Sequence, residues 1–115
     1  VGGSAPSYRG GNGGDGVANA YRTGSNVTYA GGGGGSSLTM DVASSDNPSI
    51  SLGGSGGGGE GGQYWTGGYF AATAGTVNTG GGAGSCEGHG ANDKVGPAGG
   101  SGIIVIRYLT AALSG

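Results

Sequence analysis

The decapeptide GGSGGGGEGG, residues 53–62, holds only Ser55 and Glu60 besides glycine. It offers almost no side chain to bury, so its backbone must supply whatever order it has. Glycine loses more conformational freedom on folding than any other residue, and fixing each residue's backbone costs about 1–2 kcal/mol. The compensating permission is close approach. Two backbones without Cβ atoms can lie side by side and exchange N–H···O=C bonds, as collagen does at every third residue. A run of nearly pure glycine can do so on all sides. In the left-handed extended form with three residues per turn, ten residues span about 31 Å. The stretch therefore reads as one rod of a bundle.

The rest of the chain repeats the theme. Glycine makes up 35 of 115 residues without the strict triplet period of collagen, a composition otherwise typical of low complexity. Further runs are GGNGGDG (10–16), AGGGGG (30–35), TGGGAG (79–84) and AGGSG (98–102). Mixed segments separate them at 17–29, 36–52, 63–78 and 85–97. No fixed repeat length relates the units, so a regular solenoid is excluded. The expected fold is one glycine-rich domain over residues 1–115. It is mostly extended and irregular, a bundle of polyglycine-II-like segments with a few short strands and essentially no helix. The mixed segments are expected to fall at the bundle ends as loops.

Short strands are expected at 26–30 (NVTYA) and 49–52 (SISL), where apolar and polar residues alternate. The strongest strand signal is IIVIRY, 103–108. Ile103, Val105 and Arg107 fall on one face and Ile104, Ile106 and Tyr108 on the other. Apolar residues on both faces predict a strand covered on both sides. Ile103, Ile104, Val105, Ile106 and Tyr108 are thus expected to anchor the domain. Burial of the four aliphatic residues would contribute about 6–12 kcal/mol before entropy is counted.

Charge excludes some functions. The net charge is −2, and the four basic residues, Arg9, Arg22, Lys94 and Arg107, are scattered. No patch exists to neutralise phosphates, so no nucleic-acid partner is expected. No run of about 18 apolar residues occurs, so no membrane-spanning helix is expected. A single cysteine, Cys86, allows no intrachain disulfide.

Few motifs carry chemistry. GGNGGDGVA (10–18) fits one copy of the calcium-binding β-roll nonapeptide, with Asp15 as the ligand. Those rolls stack copies, and no second copy follows, so Asp15 is a weak metal candidate and no cofactor is expected. CEGHGAND (86–93) holds Cys86, the only histidine (His89), Asn92 and Asp93. It lacks the second ligand pair of a zinc site and an orienting partner for a Cys–His nucleophile, and reads as a polar loop. No nucleophile–base pair stands out, so an enzyme is not expected. QYWTGGYF (63–70) gathers Tyr64, Trp65, Tyr69 and Phe70, half the aromatic residues of the chain. Such a cluster suits recognition of carbohydrate or protein, or packing against a neighbouring subunit.

GSNVTYAGGGGG (24–35), NTGGGAGS (78–85) and above all GGSGIIVIRY (99–108), in this order, resemble the glycine-rich C-terminal domain of tailed-phage tail fibres and adhesins. The last closes on a β-branched strand ending Arg-Tyr, like the closing signature of that family. The style is similar to adhesin tips built as polyglycine-II sandwiches, in which loops between the runs contact the host. The resemblance implies a non-enzymatic virion-surface protein whose partners are a host receptor (polysaccharide or outer-membrane protein), other virion proteins, and copies of itself, a trimer being one form. Carried over by position, it implies receptor-binding loops at 36–49, 63–77 and 86–95. On this reading the candidate contact residues are Tyr64, Trp65, Tyr69, Phe70, His89, Asn92 and Asp93. Members usually carry a longer N-terminal part, so the chain is expected to be the distal part of a longer protein. QYWTGGYF has no counterpart in the common pattern. Two other readings stand beside this one: an assembly or filament subunit whose glycine runs pack between copies, and an ice-binding protein, against which the absence of regular Thr or Ala spacing counts.

Overall fold

The computed structural model describes residues 2, 9–39, 50–65, 68–87 and 95–110. Among these there is no α-helix and no buried hydrophobic residue. The buried side chains are polar instead: Ser37, Ser51 and Gln63. Order comes from the backbone, as the glycine content requires.

The hydrogen bonds between runs advance in steps of three. The N–H groups of Gly31, Gly34 and Ser37 donate to the carbonyls of Gly56, Gly59 and Gly62. Those of Gly59 and Gly62 donate to Gly82 and Ser85, and those of Gly82 and Ser85 return to Gly31 and Gly34. Three parallel segments thus close a triangle, with N···O distances of 2.8–3.1 Å. A three-residue step is the pitch of the polyglycine-II helix, in which each residue of a turn faces a different neighbour.

Further segments pack around the triangle. Residues 10–16 run antiparallel to 31–35, through Gly32 N–H to Gly14 O and Gly35 N–H to Gly11 O. Residues 72–76 run antiparallel to 57–60, through Thr73 N–H to Glu60 O and Thr76 N–H to Gly57 O. Residues 98–101 join the outside through Gly100 N–H to Gly81 O and Gly80 N–H to Ser101 O. The contacts are close enough to demand glycine. A Cβ on Gly33 would run into the Ala83 carbonyl, and one on Gly84 into the Glu60 carbonyl.

Among the described residues, five three-residue strands flank the bundle: β1 (Val17–Asn19), β2 (Val27–Tyr29), β3 (Ser37–Thr39), β4 (Gln63–Trp65) and β5 (Gly68–Phe70). β1 and β2 form an antiparallel hairpin with Val17 opposite Tyr29. The second sheet has the order β3-β4-β5, with β3–β4 parallel and β4–β5 antiparallel. It continues directly from the triangle, since β3 and β4 follow two of its parallel segments.

Four expectations are corrected. Residues 53–62 are not one rod: the chain reverses in a turn over residues 55–57, where Gly56 and Gly57 take φ values of 98° and 94°, and residues 51–54 run antiparallel to 58–61, through Gly61 N–H to Ser51 O and Gly58 N–H to Gly54 O. The strand over 26–30 is present as β2, but Ser51 and Leu52 belong to the bundle, their carbonyls accepting from Gly61 and Gly13. Residues 72–76, expected within a loop, are a bundle segment. Residues 103–108 form none of the five strands. Ile104 is 89 % exposed, Ile106 82 % and Tyr108 69 %, while Ile103 and Val105 retain 37 % and 39 %. The apolar alternation is real, but the described residues cover the Ile103–Val105 face only in part and leave the other face bare. The five expected anchors therefore do not form a core among the described residues.

A candidate recognition surface on the end sheet

β4 and β5 collect the aromatic cluster because their pairing is local. Two residues separate Trp65 from Gly68, and the register sets Tyr64 opposite Tyr69 and Trp65 opposite Gly68. Residues directly opposite share a face, and successive residues alternate. The cluster is therefore divided. Tyr64 and Tyr69 lie on one face, while Trp65 and Phe70 lie on the other. β3 extends the first face, since Leu38 pairs with Tyr64. Leu38, Tyr64 and Tyr69 make one row across the sheet, with Leu38 and Tyr69 each 36 % exposed.

On the opposite face, Gly68 makes room for the indole. A Cβ there would lie 2.9 Å from Cζ2 and 3.3 Å from Cη2 of Trp65. The row Ser37–Gln63–Phe70 lies nearest the bundle, and Ser37 and Gln63 are fully buried. Ser37 Oγ accepts from the N–H of Gly10 at 2.9 Å, and Ser51 Oγ donates to the carbonyl of Gly10 at 2.7 Å. The sheet is tied in this way to the first glycine run.

The other expected site residues fall elsewhere. His89, Asn92 and Asp93 lie outside the described residues. Cys86 is a free, half-buried thiol. Asp15 Oδ1 accepts from the backbone N–H of Ser55 at 2.8 Å. This bond and the Ser55 hydroxyl hold the Asp15 carboxyl below its usual pKa. Asn12 Oδ1 plays the same part three residues earlier, accepting from Leu52 N–H at 2.9 Å. Among the described residues no group of three or more His, Cys, Asp or Glu side chains gathers.

A second concave surface was not expected from the sequence. A cleft of about 330 Å³ is lined by Asn19, Tyr21, Tyr29, Thr79, Ile103 and Val105, with Gly80 and Gly102. It lies between the β1–β2 hairpin, the turn at 77–80 and the start of the terminal arm. Periodicity marks Tyr29 and Ile103 singly, but no local signal brings residue 29 to residue 103. Leu38 was missed for the same reason, because its pairing with Tyr64 is long-range.

A family model for the glycine-rich domain matches residues 1–109. The chain belongs to the glycine-rich domain family. No curated protein and no solved structure matches it. In this chain the backbone bundle accounts for the glycine content, since the contacts between its segments are too close for a Cβ.

Proposed function

We propose that this glycine-rich domain is a non-enzymatic receptor-binding domain of a tailed-phage tail fibre or adhesin, displayed at the virion surface. The observation that carries the reading is the end sheet. A backbone-bonded bundle presents Leu38, Tyr64 and Tyr69 as one partly exposed row on short strands. Tyrosines combine a flat apolar ring with a hydroxyl, which suits a host polysaccharide or an outer-membrane protein. The resemblance of residues 99–108 to the closing segment of tail-fibre domains points the same way. Weak single contacts would be strengthened by several copies acting together.

The test is adsorption of the purified chain to candidate host bacteria. The wild type is expected to bind, and Y64A/Y69A to lose most of the binding while keeping its fold. A folded wild type that binds none of the hosts, or a double variant that binds equally, overturns the assignment. W65A probes the opposite face and is expected to weaken binding less.

A further inference from the structure

The cleft between the β1–β2 hairpin, the turn at 77–80 and the terminal arm lies away from the end sheet. β2 precedes the glycine rod 31–35 and β3 follows it, so the cleft and the sheet sit at opposite ends of that rod, about 16 Å apart along it. The cleft volume of about 330 Å³ falls at the small end of ligand sites, which run from about 300 to 1,000 Å³. Ile103 and Val105 give it an aliphatic side, Tyr21 and Tyr29 give it phenol rings, and no charged residue lines it.

The polar groups of the lining are not all spent. Asn19 Oδ1 accepts from the Tyr21 N–H at 3.2 Å, which leaves the two N–H donors of Nδ2 without an acceptor among the described residues. The Tyr29 hydroxyl is buried and has no partner among them, a state that buried hydroxyls seldom keep. Thr79 Oγ1 donates to the Thr76 carbonyl and accepts from the Gly81 N–H, which leaves it one lone pair. The wall that carries Ile103 and Val105 is free to adjust. From Gly102 to Thr110 no backbone N–H or C=O bonds to another described residue, so the arm can shift to admit a group to the Tyr29 hydroxyl.

We propose that this cleft binds one neutral pyranose unit of a saccharide. A pyranose ring offers C–H faces to aliphatic and aromatic surface, and its edge hydroxyls both accept and donate. A charged ligand would lose its hydration here with no opposite charge to replace it. A purely apolar ligand would leave the Tyr29 hydroxyl and the Asn19 amide unpaired. The site is additional to the end sheet and stands whether or not that sheet binds a host.

The test is an NMR titration of the isotope-labelled full chain with the methyl glycosides of glucose, galactose, mannose and N-acetylglucosamine. At least one is expected to shift the backbone signals of Tyr21, Thr79 and Gly80 and the side-chain amide of Asn19, saturably. N-acetylneuraminic acid, which is charged, and a capped alanine peptide are expected to leave them in place. A Cβ added at Gly102 meets nothing within 4 Å, so G102F sets a ring into the open cleft without disturbing the bundle and is expected to weaken binding about tenfold. Y29F removes the hydroxyl alone and is expected to weaken it about fivefold. Y64A/Y69A, at the other end of the rod, is expected to bind as the wild type does. No shift at the cleft with any of the four glycosides overturns the proposal, as does equal affinity in G102F and Y29F. Larger shifts with the acid or the peptide than with any glycoside overturn the ligand class. Loss of the sugar in Y64A/Y69A moves its site to the end sheet and overturns the cleft, leaving the host-binding reading in place.

Discussion

Ser37 and Ser51 grip one residue, Gly10, through the peptide groups on either side of it, and this shows what replaces a hydrophobic core at the scale of the residue. Both hydroxyls are buried, one accepting from Gly10 N–H and the other donating to Gly10 C=O. In S37A that half-buried N–H loses its acceptor; a fully buried donor left unmade costs about 1–3 kcal/mol, so a loss at the low end, about 1 kcal/mol, is expected. Urea denaturation should show a loss of this size. Glycines divide by what surrounds them. G33A pushes a methyl into the Ala83 carbonyl, which is backbone and cannot swing aside, so a loss of about 3 kcal/mol or more is expected. G102A meets nothing within 4 Å and should change stability by less than about 0.5 kcal/mol. Equal effects at the two sites would contradict the packing. Ala30 sits at φ 60°, a left-handed conformation that costs an L-residue about 1–2 kcal/mol. A30G relieves it and should stabilise the chain, by less than this because glycine also gains freedom when unfolded.

At the scale of the element, the ladder of Asn12 and Asp15 gives residues 10–16 a role. The two side chains, three apart, cap the N–H groups of Leu52 and Ser55, while Gly13 and Gly16 donate to the carbonyls of the same two residues. The Asp15 carboxyl is held below its ordinary value of 3.8. A depressed folded pKa means that its contribution is present above the unfolded value and lost as pH falls through the lower, folded one. The stability gap between wild type and D15A should therefore be full at neutral pH and shrink below about pH 4. An NMR titration placing Asp15 at or above 3.8 would contradict the bond.

The elements also show what could be read in advance. The rod at 30–35 was legible because glycine there leaves no alternative, but at 53–62 the same lack of side chains permits a reversal at Gly56 and Gly57 that composition does not locate. β2 was legible because Val27 and Tyr29 alternate with Thr28. Residues 72–76 were not, since ATAGT looks like a loop until Gly75 is seen buried and Thr73 and Thr76 facing out. The aromatic segment was found as a cluster, but its division into two faces depends on register, which the spacing of Trp65 and Gly68 alone does not set. Residues 103–108 carry the alternation of a two-sided strand, but alternation does not say what covers it, and in the structure Ile104, Ile106 and Tyr108 are exposed.

For the whole molecule, the absence of buried hydrophobic residues among the described ones sets the thermodynamics. Apolar exposure raises the heat capacity on unfolding and polar exposure lowers it. An ordinary domain of this length would show about 1.4–1.7 kcal/mol/K. This one exposes mainly peptide groups, so calorimetry should give a clearly smaller value and a flatter stability curve. A value in the ordinary range would mean that a conventional core forms.

The three-residue step of the central triangle sets a rule for how such a chain can change length. One residue more or less in a rod turns everything beyond it by a third of a revolution, handing each donor to the wrong neighbour. Three more restore the phase and merely lengthen the rod. The runs are thus written in a reading frame of their own, in which whole triplets can be gained or lost and single residues cannot. Insertions of one or two residues should therefore be tolerated in the segments between rods and not within them.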